Sequence, residues 1–213
     1  MRLSRGQERI FSKNLPSKKL LFALTVEQRI RLARFSVTTA AQESRQLKNH
    51  MVVAEKMAEN KTLIAYETKG GATEESAQKI AEILRSKYQL EVDLVDLKEQ
   101  KVPDIAQYRN VIIGGGVSAG KVYSKALKFL ENDLSGKHVA FFVSSAEAGT
   151  PGSYEKAKVK FVENTLANYP KIKPVATEAF GGRIRILGKT VTDNRDMAKV
   201  EAWAEMLGKK FTE

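Results

Sequence analysis

Cysteine is absent from the 213 residues. That excludes disulfides, thiolate nucleophiles, iron–sulfur ligation through sulfur and cysteine zinc sites. Histidine occurs twice, as His50 and His138. Two are too few for a histidine-rich metal cluster, and a catalytic triad would have to enlist one of them. His138 opens the apolar run Val139, Ala140, Phe141, Phe142 and Val143, and so reads as the first residue of a strand. No apolar run approaches the roughly 18 residues of a bilayer-spanning helix. The basic start is followed by only a short apolar stretch, residues 20–24, with no small-residue cleavage pattern close behind it, so secretion is not expected.

What is present is the balance of an ordinary globular protein, 42% hydrophobic and 29% charged. The length suits one well-packed domain with an extension. The net charge of +11 is unevenly spread: residues 1–60 carry 12 Lys or Arg against 5 Asp or Glu, and the remainder 24 against 20. Such a basic segment either solvates the surface or meets an acidic partner: phosphate, nucleic acid or an anionic membrane face.

Thr25, with Gln28 three residues on, forms a capping box. From Val26 through Ile30, Ala33, Val37, Ala40, Ser44, Leu47, Met51 and Ala54 to Ala58, a 4-3-4-3 spacing predicts one long helix, or two with a break near residues 36–39. The pattern changes after Asn60. Residues 62–66 form a strand-length apolar run, followed at once by a glycine-containing loop. Ala77, Ile80, Ala81 and Leu84 then mark a helix face. Residues 90–97 read as an alternating, half-exposed strand near a sheet edge. Residues 111–113 lead into Gly114, Gly115 and Gly116, with helix at 124–130. Residues 139–143 read as a strand buried on both faces. Helix at 157–166, a fifth strand at 175–180 and a closing helix carrying Val200, Trp203, Ala204, Leu207 and Phe211 complete the chain. Alternating strands and helices imply one parallel sheet, an α/β fold.

The loop between the first strand and first helix reads Tyr66, Glu67, Thr68, Lys69, Gly70, Gly71, Ala72, Thr73. Glycines let backbone N–H groups converge on an anion, the helix N-terminus adds partial positive charge, and the two threonines add hydroxyl donors. It is neither a P-loop nor G-x-G-x-x-G.

This loop, the segment 108–114 entering the end of the third strand, residues 117–123 and the strand end 142–145 together resemble flavodoxin-like domains. They resemble especially the branch of the menaquinone-dependent protoporphyrinogen oxidases, over about residues 61–211. The resemblance implies a three-layer sandwich with five parallel strands in the order 2-1-3-4-5 and an N-terminal helical extension, residues 1–60, ahead of the domain at 61–213. It implies FMN, with the phosphate at Thr68, Lys69, Gly70, Gly71, Ala72 and Thr73. The ring would lie against Gly116, Val117, Ser118, Ala119, Gly120, Lys121 and Tyr123 on one side and Ser144 and Ser145 on the other. Tyr123, and behind it Tyr154, are the candidates for stacking on the ring. Glu67 and Ala72 depart from the Ser/Thr and Asn common in flavodoxins, so Glu67 is expected to point away from the phosphate.

Lys69, Lys121 and Lys125 are expected around the cleft, where positive charge would raise the two-electron potential of a bound flavin. That favours an FMN-dependent oxidoreductase of protoporphyrinogen oxidase or quinone-linked type, acting on an anionic small molecule. A flavodoxin-type electron carrier and a non-catalytic interaction module are the alternatives. The expected setting is cytoplasmic, with residues 1–60 able to touch the inner face of the membrane or to form a homodimer. Nucleic acid is not expected as a partner.

Overall fold

A computed structural model of the chain describes residue 45 and residues 61–213. The capping box at Thr25 and the helical stripe from Val26 to Ala58 lie outside the described residues.

Strands β1 (Lys61–Glu67), β2 (Glu91–Asp96), β3 (Asn110–Ser118), β5 (His138–Ser145) and β6 (Ala176–Gly181) pair in parallel in the order β2-β1-β3-β5-β6. A short return strand, β4 (Lys121–Val122), pairs antiparallel with the end of β3. Helices α1 (Ala72–Tyr88), α2 (Ser124–Phe129) and α4 (Met197–Thr212) flank the sheet. Tyr154–Lys158 runs through a π turn at Val159–Glu163 into Asn164–Leu166, and this continuous helix is α3.

The central strands are buried on both faces, which is why their sequences read as unbroken apolar runs. Leu63, Ala65, Val111, Ile113, Phe141 and Val143 face α2 and α3 in one cluster. Ile64, Tyr66, Ile112, Ala140 and Phe142 face α1 and α4 in the other. Trp203 of α4 meets Phe142 and Phe180 edge-on, with ring centroids 5.9 and 5.5 Å apart. The molecule's one tryptophan is thus a core residue.

Two expectations change in detail. The half-exposed strand expected at 90–97 is instead apolar toward both faces: Leu90, Val92 and Leu94 pack toward α1 while Val95 and Leu97 pack on the opposite face. Both faces of this edge strand are therefore partly covered. A second antiparallel pair, β7 (Arg183–Ile186) and β8 (Lys189–Asp193), follows β6 where no strands were expected. It forms its own two-stranded sheet.

Candidate functional site

The chain leaves β1 toward β2 on one side and returns to β3 on the other, so the loops after β1 and β3 diverge. Their divergence opens a crevice at the carboxyl ends of the strands, the usual place for a ligand in a parallel sheet. The cleft there has a volume of about 530 Å³, within the range of small-molecule sites. A larger depression of about 800 Å³, walled by Leu134, Lys137 and Lys171, lies instead beside Val139 near the start of β5.

The floor is the loop 68–73. Thr68 Oγ1 accepts the N–H of Gly71 at 3.0 Å. Gly71, at φ 84°, occupies the left-handed region and caps α1 with no side-chain acceptor. The first-turn N–H groups of Ala72, Thr73 and Glu74 have no carbonyl within the helix to bond, and they crown a 17-residue helix. The first turn also carries Glu74 and Glu75, charges that would oppose an anion. Glu75 is drawn aside: its carboxylate pairs with Arg183, 2.6 Å from Nη2, and with Arg195. Arg183 is only 8% exposed and also donates from Nε and Nη2 to the Gly70 carbonyl at 3.2 and 3.0 Å. It ties the β7–β8 hairpin to the loop and fixes the loop's backbone.

The second wall comes from Gly116, Val117, Ser118, Ala119, Gly120 and Tyr123. Ala119 and Gly120 form the turn of the β3–β4 hairpin, both with positive φ, 49° and 73°. The N–H of Tyr123 then donates to the Gly116 carbonyl at 3.0 Å. A Cβ on Gly116 would sit 2.5 Å from the Tyr123 ring and 3.1 Å from Thr73 Oγ1, so the glycine is what lets this ring lie against the cleft wall. Lys69 Nζ stands 4.6 Å above the same ring. Burial pushes the Tyr123 phenol up, the Ser118 hydroxyl draws it partly back, and the phenol keeps its proton at neutral pH.

The third wall is Ser144, Ser145, Ala146 and Glu147 after β5. Ser145 Oγ accepts the N–H of Ala148 at 3.0 Å, setting the course of this loop. Ser144 Oγ is buried without a hydrogen-bond partner. Glu147 is neutralised by Lys160 at 3.0 Å.

Several expected residues fall elsewhere. Gly71 shapes the floor without lining the cleft, and Lys121 is exposed on β4, off the wall. Lys125 is turned away, its Nζ bonded to the Lys98 carbonyl at 3.2 Å, so the expectation that it charges the cleft is corrected. Tyr154 is also remote: its hydroxyl donates to Glu178 at 2.6 Å beneath the Lys199 ammonium. Glu67 points away, as its departure from the usual residue implied. Gly182, Arg183, Ile184 and Arg185 line the cleft unforeseen. Their signal was legible: Arg-Ile-Arg-Ile and Lys-Thr-Val-Thr flank Leu187-Gly188, two alternating runs around a two-residue turn.

A helix N-terminus at the floor, a glycine-backed aromatic wall and an unpaired buried hydroxyl fit a planar ligand with an anionic end. The class is a doubly wound α/β domain with a ligand cleft at its switch point. The chain belongs to the flavodoxin domain family, whose model matches residues 63–207, and flavodoxin-like domains are flavoprotein domains. Among solved structures it is similar to a short-chain flavodoxin associated with a non-canonical PDU bacterial microcompartment, at 16% identity and TM-score 0.50, covering 71% of this chain and 98% of the other. It is also similar to oxidised flavodoxin 1 from Bacillus cereus, at 20% identity and TM-score 0.47, covering 71% and 96%. A flavo-diiron protein mutant from Thermotoga maritima aligns at 16% identity and TM-score 0.49, over 79% of this chain and 41% of that one. At such identities the likeness concerns the fold. None of the curated proteins matches the chain in sequence.

Proposed function

We propose that the cleft holds FMN and that the protein is an FMN-dependent oxidoreductase passing electrons to a quinone, in the manner of the protoporphyrinogen oxidases. The observation that carries the cofactor is the loop 68–73, where the bare first turn of α1 meets a cleft with a neutralised acid beside it.

Bound FMN supplies the electron transfer; the protein supplies position and electrostatics. The N–H groups of Ala72, Thr73 and Glu74 and the Thr68 and Thr73 hydroxyls would hold the phosphate. Tyr123 and the 116–120 segment would orient one side of the ring, and Ser144 and Ser145 the other. Lys69 and Arg185 supply positive charge at the cleft wall, which attracts an anionic substrate.

The test begins with the purified chain. One FMN per chain, reduced anaerobically and reoxidised catalytically by a quinone, supports the proposal. A yellow protein that cannot turn over a quinone would be an electron carrier. A colourless protein that does not take up FMN would leave a non-catalytic module.

A further inference from the structure

The three most exposed large apolar side chains among the described residues lie on the β7–β8 hairpin: Leu187 is 97% exposed, Val191 61% and Ile186 57%. Ile184, at 43%, is exposed as well. Leu187 and Gly188 are the two turn residues, at φ 48° and 80°, the mirror-image turn that favours Asn-Gly. A leucine there gains nothing from packing and opposes the local backbone preference. Folding of this domain does not account for it, whereas contact of the tip with an apolar phase does.

The charge pattern says which phase. From Arg183 to Thr192 there are three cations and no acid. Arg183 is committed to Glu75, while Arg185 and Lys189 are exposed beside the apolar tip. Asp193, the next acid, is bound by Arg195 at 2.6 Å. An apolar tip with basic shoulders is the pattern of a segment that enters the headgroup–acyl boundary of an anionic bilayer.

We propose that the β7–β8 hairpin docks on an anionic phospholipid surface, with Leu187 and Ile186 entering the interface and Arg185 and Lys189 contacting lipid phosphates. The hairpin also walls the cleft through Ile184 and Arg185, so docking brings the cleft mouth beside the lipid, where a lipid-soluble acceptor is dissolved. The proposal rests on the hairpin and stands apart from the flavin reading.

The absence of cysteine makes a direct test available. Thr190→Cys in the full chain, labelled with an environment-sensitive fluorophore, reports from beside the tip with Leu187 intact. Ser135→Cys, on the 130–137 segment away from the cleft, serves as control. With phosphatidylglycerol vesicles the label at 190 should brighten, shift to the blue and be quenched by nitroxide lipids, while the label at 135 stays solvent-like. Phosphatidylcholine vesicles should leave both unchanged. Leu187→Asp, a residue tolerated at positive φ and at an exposed tip, should weaken the response at 190 about tenfold or more. Because the label reads the tip itself, adsorption through the basic residues 1–60 cannot imitate the result. A solvent-like label at 190 on vesicle-bound protein, no binding to phosphatidylglycerol at all, or a response undiminished by Leu187→Asp would each overturn the proposal.

Discussion

Glu67 Oε2 accepts the backbone N–H of Lys125 at 2.8 Å and that of Ala126 at 3.3 Å. The carboxylate at the end of β1 therefore caps α2 on the far side of the sheet from α1. An acid next to the loop proposed to hold the phosphate is in this way made structural. Replacing it leaves two helix-terminal donors, one of them buried, without an acceptor. Glu67→Ala should lower stability by about 1–3 kcal/mol and leave FMN affinity unchanged. Denaturant unfolding and a flavin titration on the same variant check both halves.

The cleft cations differ from those anticipated, and so does the electrostatic prediction. Arg185 lines the cleft and Lys125 does not. Arg185→Glu should lower the two-electron potential of bound FMN by tens of millivolts, about 30 mV corresponding to about 1.4 kcal/mol for such a couple. Added salt should shrink the effect. Lys125→Glu should leave the potential unchanged. Redox titration of the two variants distinguishes them, and equal shifts would mean that the charge acts only through bulk solvent.

His138 donates through Nδ1 to Asn110 Oδ1 at 3.1 Å, the tautomer set by Asn110 giving its own N–H to Thr62 Oγ1. Its ring stacks on Phe211. Burial, then the nearby Arg109 guanidinium, holds the imidazole below its ordinary value. The unfolded chain thus binds the proton more tightly than the folded one. Stability is intact above the unfolded value near 6.5 and falls as pH drops through it toward the lower folded value. Urea midpoints should decline across that window, and His138→Phe should flatten the decline. An unchanged acid slope would place the titration elsewhere.

Among the described residues, the two apolar clusters together span Leu63 to Phe211. A chain truncated to residues 61–213 should therefore fold cooperatively and take up FMN. Circular dichroism with a flavin titration tests this, and an insoluble or unfolded fragment would make residues 1–60 part of the core.

The parallel sheet was legible because central strands must be apolar on both faces, as at 139–143, and because helix faces at 77–84 and 200–211 repeat at helical spacing; its strand order was implied only by the resemblance to flavodoxin-like domains. The loop 68–73 was legible because its glycines interrupt that pattern at a strand end. The orientation of Lys125 was not, since a lysine's direction depends on partners distant in sequence, here the Lys98 carbonyl. The role of Arg183 was hidden for the same reason: it lies 108 residues from Glu75 and 113 from Gly70. The β7–β8 hairpin carried a period-2 signal, but its exposed apolar tip and non-Asn turn made it unlike an ordinary hairpin.

The proposal for the cleft depends on the loop 68–73 binding a phosphate. The direct measurement compares FMN with riboflavin, which shares the ring and lacks the phosphate, on the wild-type chain and on Gly71→Val. In wild type FMN should bind at least about 100-fold more tightly than riboflavin, since two charge-assisted hydrogen bonds suffice for that factor. Gly71→Val forces a β-branched residue to φ 84° against Arg183 and should abolish most of the difference. Equal affinities for FMN and riboflavin in the wild-type protein would contradict the account.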